Sequence, residues 1–382
     1  MVSDPADTRR HELDWLRVLA VLLLIYFHSA RIFDFGDFYV KNGQLSKGFE
    51  AFVTFVDIWF MPLFFFIAGA ASFYALGKRS GKQYVGERAK RLMVPFVFGT
   101  LVLAAPQVYC VLLQQPGYSQ NYLQYYGYIF TTPYLTEVTA GSVGPAKIIA
   151  FTLEPAHLWF ILYLFIFSLI CLPLFLRLRG EKGAGFRDRV ASFLRRRGAI
   201  FLFAIPIFLY NVLPIDDDTI YRLFHIYPFF LGFLFYCDDR FGHIIDEYLK
   251  PALILALSFS AAFLAIFWTV GFDSQQVLWD GVLLDVLYSF STWFWLLALV
   301  GLGRKYLRFR NGFLDYANRG SYPFYILHQT VIVLLGYAIF RWTWGIAPKY
   351  LLITTASLVI SALVYDLLVR RTRPTRFLFG MK

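Results

Sequence analysis

Arg17 and His28 stand eleven residues apart in one apolar stretch. At 100° per residue that spacing returns to nearly the same helix face, three turns on and about 16 Å along the axis. A guanidinium is a fixed cation suited to an anion, and an imidazole titrates near neutrality and can take or give a proton. Ionisable groups are costly in a membrane helix, so two in register mark a candidate site. The plainer alternative for His28 is a buried histidine bonded to a neighbouring helix. For Arg17 it is an interfacial arginine paired with Asp14, one turn away. The shared face favours function.

Other groups have the right chemistry. Arg88 and Arg91 lie one turn apart in R-A-K-R-L-M-V-P, and the planar fork of arginine suits phosphate; the alternative is ordinary flanking charge. Glu154, His157 and Trp159 bring a carboxylate, an imidazole and an indole to one helix mouth, with Glu154 and His157 spaced i,i+3 to meet. An interfacial belt with a capping acid explains them equally well. Ser321 and Tyr325 share a face at i,i+4, and Tyr325 and His328 at i,i+3. His328 is expected nearer the inner half of its helix. A polar packing seam is the alternative. Asp57 and Asp285 fall near the outer ends of their helices as interfacial or pairing residues. There is no G-x-S-x-G elbow, phosphate loop or H-E-x-x-H motif. Cys110, Cys171 and Cys237 have no metal-like spacing and form no disulfide framework.

The elements that position these residues are membrane helices. The chain is 58% hydrophobic and 16% charged, and its apolar runs approach 20 residues, the length that crosses a bilayer. The pattern predicts an all-α, polytopic bundle of about ten transmembrane helices, near 13–32, 52–76, 92–114, 157–176, 199–214, 220–237, 251–271, 281–303, 320–340 and 349–369. The first run has no cleavage pattern after it and reads as a retained helix. Lysines and arginines cluster after alternate helices, as at Lys78–Arg91, Arg177–Arg197, Arg304–Arg310 and Arg370–Arg376. The outside loops carry few, such as Lys41, Lys47, Lys147 and Lys349, and hold the Asp216-Asp217-Asp218 run. Positive charge stays inside, which puts both termini in the cytoplasm. The net charge of +11 is then topology, with attraction to anionic lipid second, and no nucleic-acid partner is implied. One integral domain is expected over 1–382. The uncharged, tyrosine-rich segment 115–146 lies outside, as a lid or a plain connector. No internal repeat is visible, which disfavours a transporter.

Taken together the motifs resemble the bacterial membrane acyltransferase-3 family. They are Arg17-x10-His28, Met61-Pro62-Leu63-Phe64-Phe65-Phe66-Ile67-Ala68-Gly69, Arg88-x-x-Arg91-Leu92 with Pro95, His157-Leu158-Trp159-Phe160, and Ser321-Tyr322 through His328. They occur in the family's order over most of the chain. Trp15-Leu16-Arg17-Val18, Val40-Lys41-Asn42 and Pro106-Gln107-Val108-Tyr109 look most like its glucan-biosynthesis branch, which is associated with succinylating periplasmic glucans. The chain departs from the O-antigen acetyltransferase branch: Leu162 and Tyr163 stand where that branch has a Glu, and Pro62 and Leu63 where it tends to have an acid.

The resemblance implies an enzyme of the bacterial inner membrane. It would take an acyl group from cytoplasmic acyl-CoA, succinyl-CoA or acetyl-CoA, to a periplasmic or cell-surface glycan, with no metal. His28 and Arg17 would be catalytic. Arg88, Arg91, Ser321, Tyr325 and His328 would serve the donor. Glu154, His157, Trp159 and Asp57 would serve the acceptor, with Glu154 or Asp57 a candidate to orient His28. A transporter or flippase for an anionic or lipid-linked solute is the alternative, since Pro62, Pro206 and Pro323 permit broken helices. A third reading is a non-enzymatic scaffold.

Overall fold

A computed structural model of the chain describes residues 10–131, 138–139, 147–148, 154–213, 218–270 and 278–381. Asp216, Asp217 and most of 132–146 lie outside the described residues.

With no water in a bilayer core, an apolar run must satisfy its own backbone, and the helix does so within one segment. The runs become α1 (His11–Ala30), α2 (Lys47–Gly77), α3 (Gly81–Leu112), α4 (Ala156–Ile170), α5 (Leu172–Arg179), α6 (Ala199–Val212), α7 (Ile220–Tyr236), α8 (Asp239–Thr269), α9 (Gly281–Tyr306), α10 (Gly312–Ile339) and α11 (Ile346–Val369). Seven of them are long and apolar enough to cross a membrane. α4 and α5 meet at a 54° bend and make an eighth if they count as one span. α6 and α7 are shorter apolar helices. Among the described residues the only strands are the short antiparallel pair Val138–Thr139 and Lys147–Ile148.

α3 shows how sequence shapes a span. Two π-helical stretches, Ala89–Met93 and Gly99–Ala104, each precede a proline, Pro95 and Pro106. Proline has no N–H and its ring crowds the carbonyl four residues back, so the helix widens rather than breaks. Pro95 leaves the carbonyl of Arg91 without its usual donor, and the Tyr322 hydroxyl donates to that carbonyl at 3.0 Å.

The chain divides into two compact units. Unit 1 holds Met1–Ala20, Thr54–Gly86 and Ile166–Asn318; unit 2 holds Val21–Val53, Glu87–Phe165 and Arg319–Lys382. In unit 1 α2 and α7 touch backbone to backbone. A Cβ on Gly69 would stand 1.9 Å from the Phe229 carbonyl oxygen, and one on Gly232 1.9 Å from that of Phe66. Small residues at such crossings let membrane helices gain van der Waals contact.

In unit 2 the end of α1 packs on α10 and α11 through Ile25, Ile32, Phe33, Ile332, Ile339 and Ile353. A neutral polar network ties α3 to α10. The Gln107 amide donates to Thr330 Oγ1 at 2.9 Å, Gln329 donates to Gln107 Oε1 at 2.9 Å, and Thr330 donates to the Leu103 carbonyl at 2.7 Å. Gln329 Oε1 is left without a partner among the described residues, and the three remaining bonds tie the register of the helices that carry them.

Candidate functional site

Unit 2 gathers three histidines from three helices. His28 comes from α1, His157 from the first turn of α4 and His328 from α10. The rings of His28 and His328 stand 5.0 Å apart between centroids, and those of His157 and His328 4.9 Å. His328 therefore lies level with His28 and not nearer the inner half. The reason is helix length: α10 begins at Gly312, several residues before its apolar run does.

Two of the rings have fixed tautomers. His157 Nε2 lies 3.1 Å from the Ile326 carbonyl oxygen, and His328 Nδ1 lies 2.7 Å from the Tyr325 carbonyl oxygen. A carbonyl only accepts, so both of these nitrogens carry the proton and donate. Burial of the rings, at 7% and 1% exposure, favours the neutral form, because a buried imidazolium would need a counter-charge. His157 Nδ1 and His328 Nε2 are thus lone pairs. Both are buried without a hydrogen-bond partner among the described residues, and so is His28 Nδ1. His28 keeps part of its surface open and stacks on Phe38 at 6.0 Å.

Backbone strain aims His157. Ala156 has φ of +50°, a left-handed conformation that costs a residue with a Cβ about 1–2 kcal/mol. The Tyr325 hydroxyl donates to the His157 carbonyl across the helices and holds the turn in place. Strain kept beside a cluster of unsatisfied groups is a mark of function. The same kink separates Glu154 from His157. Their i,i+3 spacing does not bring them together, because Pro155 and the left-handed Ala156 interrupt the helix between them. Glu154 accepts instead from the Tyr39 hydroxyl at 3.2 Å. Trp159 stands beside Tyr163, with ring centroids 5.9 Å apart.

A polar and aromatic track leads from the histidines to the basic end of unit 2. Along α10 it runs through Tyr325 and Tyr322, whose rings are parallel within 5° at 6.4 Å, with Ser321 buried beside them. Tyr322 reaches the Arg91 carbonyl, and the charges of Arg91 and Arg88 both act on its phenol. Arg91 Nε donates to the Gly380 carbonyl at 3.3 Å. Gly380 has φ of +64°, and a Cβ there would stand 2.6 Å from the Arg91 carbonyl oxygen, so this turn needs glycine. Six residues, or about 9 Å of rise, separate Tyr322 from His328. Tyr322 is the participant that sequence reasoning passed over, although its i,i+3 spacing to Tyr325 and then to His328 signals it.

The opposite end of α3 is a tyrosine cluster. The short helix Tyr122–Tyr128, capped by Asn121 and Gln124, packs Tyr122 and Tyr125 on Tyr109. The described part of 115–146 is therefore folded onto the bundle and is not a loose connector.

Two expected participants belong to unit 1. Arg17 donates to Asp14 at 3.3 Å and to Asn318 Oδ1 at 3.1 Å. Asp57 is exposed, and its charge acts on Tyr288. Among the described residues no group of three or more His, Cys, Asp or Glu side chains is arranged to hold a metal ion.

Comparison with known proteins agrees with this architecture. The family model described as an acyltransferase domain matches residues 10–366. Glucans biosynthesis protein C of Escherichia coli strain SMS-3-5 is 23% identical over 347 residues, covering 86% of this chain and 83% of the relative. The protein of the same name from Escherichia coli strain K12 is 23% identical over the same length, with the same coverage. No solved structure gives a significant match. With its multiple apolar helices and a match over nearly its whole length, the chain is a multi-pass membrane protein that belongs to the acyltransferase-3 family.

Proposed function

We propose that the protein transfers a succinyl or acetyl group from cytoplasmic acyl-CoA to a hydroxyl of an extracytoplasmic glycan in the bacterial inner membrane. The observation that carries this reading is the line of groups through unit 2. Arginines stand at its basic end, three imidazoles with unpartnered nitrogens in its middle, and a tyrosine cluster at its far end. Arg88 and Arg91 hold the donor phosphates as charge-assisted partners. The thioester arm follows Tyr322 and Tyr325 past Ser321 toward the histidines. The glycan binds at the far mouth, among Tyr109, Tyr122, Glu154 and Trp159, where tyrosine faces and a carboxylate suit sugar rings and hydroxyls.

His28 is the general base. It takes the proton of the glycan hydroxyl as that oxygen bonds to the thioester carbonyl carbon. The carbon–sulfur bond then breaks, and the CoA thiolate recovers the proton from His28. No metal enters these steps, and none of them uses Arg17 or Asp57. The succinyl donor follows the likeness to glucan-biosynthesis proteins, and acetyl remains the competing choice.

The test is transfer of labelled acyl from succinyl-CoA or acetyl-CoA to an oligoglucan by purified protein in proteoliposomes. The His28→Ala variant is expected to lose about 10²–10⁴-fold of the rate while keeping its melting temperature in detergent. Transfer by that variant at the wild-type rate would overturn the assignment.

A further inference from the structure

At the basic end of unit 1 the helices leave a cavity of about 550 Å³, within the range of small-molecule sites. It lies between the start of α1, the end of α2, the turn from α7 into α8 and the chain just after α9. Charged side chains and phenols line it, and the transfer reaction proposed for unit 2 uses none of them.

Pairing within the wall decides what a ligand must carry. Asp238 is answered, because Arg240 donates to both of its carboxylate oxygens, at 2.9 and 2.7 Å. Arg10 donates to the Tyr74 hydroxyl oxygen at 3.1 Å and to Asp239 at 3.3 Å. The same guanidinium faces Glu12 at 3.9 Å, beyond hydrogen-bond reach. One cation thus serves two acids. Glu12 is 3% exposed, and its carboxylate accepts no hydrogen bond among the described residues. A buried carboxylate in that condition calls for a donor. Arg308 has the opposite need. It lines the cavity and makes no hydrogen bond or ion pair among the described residues. Between them, the Tyr236 hydroxyl is buried and unpartnered, and so is His11 Nδ1. The charge of Glu12 acts on the Tyr236 phenol, whose ring stands T-shaped to that of Tyr74 with centroids 6.2 Å apart.

We propose that this cavity binds a phosphorylated primary amine, the chemistry of an aminophospholipid headgroup. A primary ammonium brings three N–H donors. Glu12 accepts one of them as a charge-assisted bond, the Tyr236 hydroxyl oxygen accepts another, and the faces of Tyr74 and Tyr236 favour the cation beside them. The phosphate takes the planar fork of Arg308. A simple anion would leave Glu12 unanswered and be repelled by it. A simple cation would leave Arg308 unanswered and meet two guanidiniums. A ligand of both signs satisfies the whole wall. Basic pockets between membrane helices are where lipid headgroups bind, so the lipid is one source of this chemistry and the free aminophosphate the other. The site lies wholly in unit 1, and the inference stands apart from the reading of unit 2.

The experiment is calorimetric binding to purified, lipid-stripped protein with three probes. They are a short-chain phosphatidylethanolamine, a phosphatidylglycerol of the same chains, which lacks the ammonium, and free phosphoethanolamine. The ethanolamine lipid is expected to bind about tenfold or more tightly than the glycerol lipid. Glu12→Gln keeps the size of the side chain and removes its charge, and Arg308→Gln removes the phosphate partner at an exposed position. Each is expected to weaken ethanolamine binding about tenfold or more, as the loss of a charge-assisted bond requires. Phosphoethanolamine binding as tightly as the lipid would support the site and assign it to a soluble ligand. Binding of the lipid alone would support it and assign it to the membrane. Equal affinity for the two lipids, no binding of either ethanolamine probe, or binding unchanged in a folded variant would each overturn the proposal. If Glu12→Gln does not fold, Arg308→Gln and the pair of lipids decide the question.

Discussion

His28 and Arg31 stand three residues apart at the end of α1, and each belongs to a buried cluster of opposite character. Around Arg31 every charge is answered. Asp34, wholly buried, accepts from Arg31 at 2.7 Å and from Lys41 at 2.5 Å. Lys41 also donates to the Arg31 carbonyl, and Arg31 to the Asp37 carbonyl. Nearby, Lys349 is buried with its ammonium on Asn42 Oδ1 and the Phe340 carbonyl. Burial pushes the Asp34 carboxyl up and the Lys41 ammonium down from their ordinary ranges, each against the pull of its partner. Around His28 the groups are neutral and three ring nitrogens are unanswered. A satisfied cluster holds a loop, whereas an unsatisfied one, kept at a cost in stability, is ready for a group that the fold does not supply.

That contrast can be broken most directly at Asp34. Asp34→Asn leaves two cations facing a neutral amide and is expected to destabilise the protein by about 3 kcal/mol or more. Activity per folded molecule should persist, the reverse of His28→Ala. Thermal melting in detergent beside the transfer assay separates the two, and an inactive Asp34→Asn of wild-type stability would erase the distinction.

A smaller effect is expected at a surface cluster of unit 1. Asp238 accepts from Arg240 at 2.7 Å, and hydrogen bonding to that guanidinium holds its carboxyl below the usual range. A depressed carboxylate stabilises above its unfolded pKa, about 3.9, and the contribution is lost as pH falls through the lower folded value. Asp238→Asn should remove this acid-side loss, worth less than about 1 kcal/mol for an exposed pair. Stability curves that differ by up to that amount at pH 6, still differ near pH 4, and converge only as pH falls below the folded pKa of Asp238 would confirm the sign.

Much of this was legible in the sequence, for physical reasons. Apolar runs must become helices in lipid, and each of the ten expected segments falls on one, although α6 and α7 are short and α4 and α5 bend. The Arg17–Asp14 pair follows from i,i+3 spacing, and the Tyr325–His328 neighbourhood does too. Tertiary facts were not legible. The meeting of His28, His157 and His328 joins helices far apart in the chain, and it merges the residues expected to divide between donor and acceptor. Asn318 as a partner of Arg17 is likewise a long-range contact. The parting of Glu154 from His157 depends on a left-handed alanine, which no local propensity announces. Lys349, expected in a loop, is buried by a contact with Asn42 that is 307 residues away in sequence.

The most direct test of the central claim, that a CoA thioester enters at the basic end of unit 2, is calorimetric binding of succinyl-CoA and acetyl-CoA to the purified protein. The Arg88→Ala/Arg91→Ala double variant is measured alongside. Micromolar binding of one donor, weakened about tenfold or more in the variant as the loss of charge-assisted bonds requires, is the predicted result. Binding of neither donor, or equal binding by the variant, would contradict it.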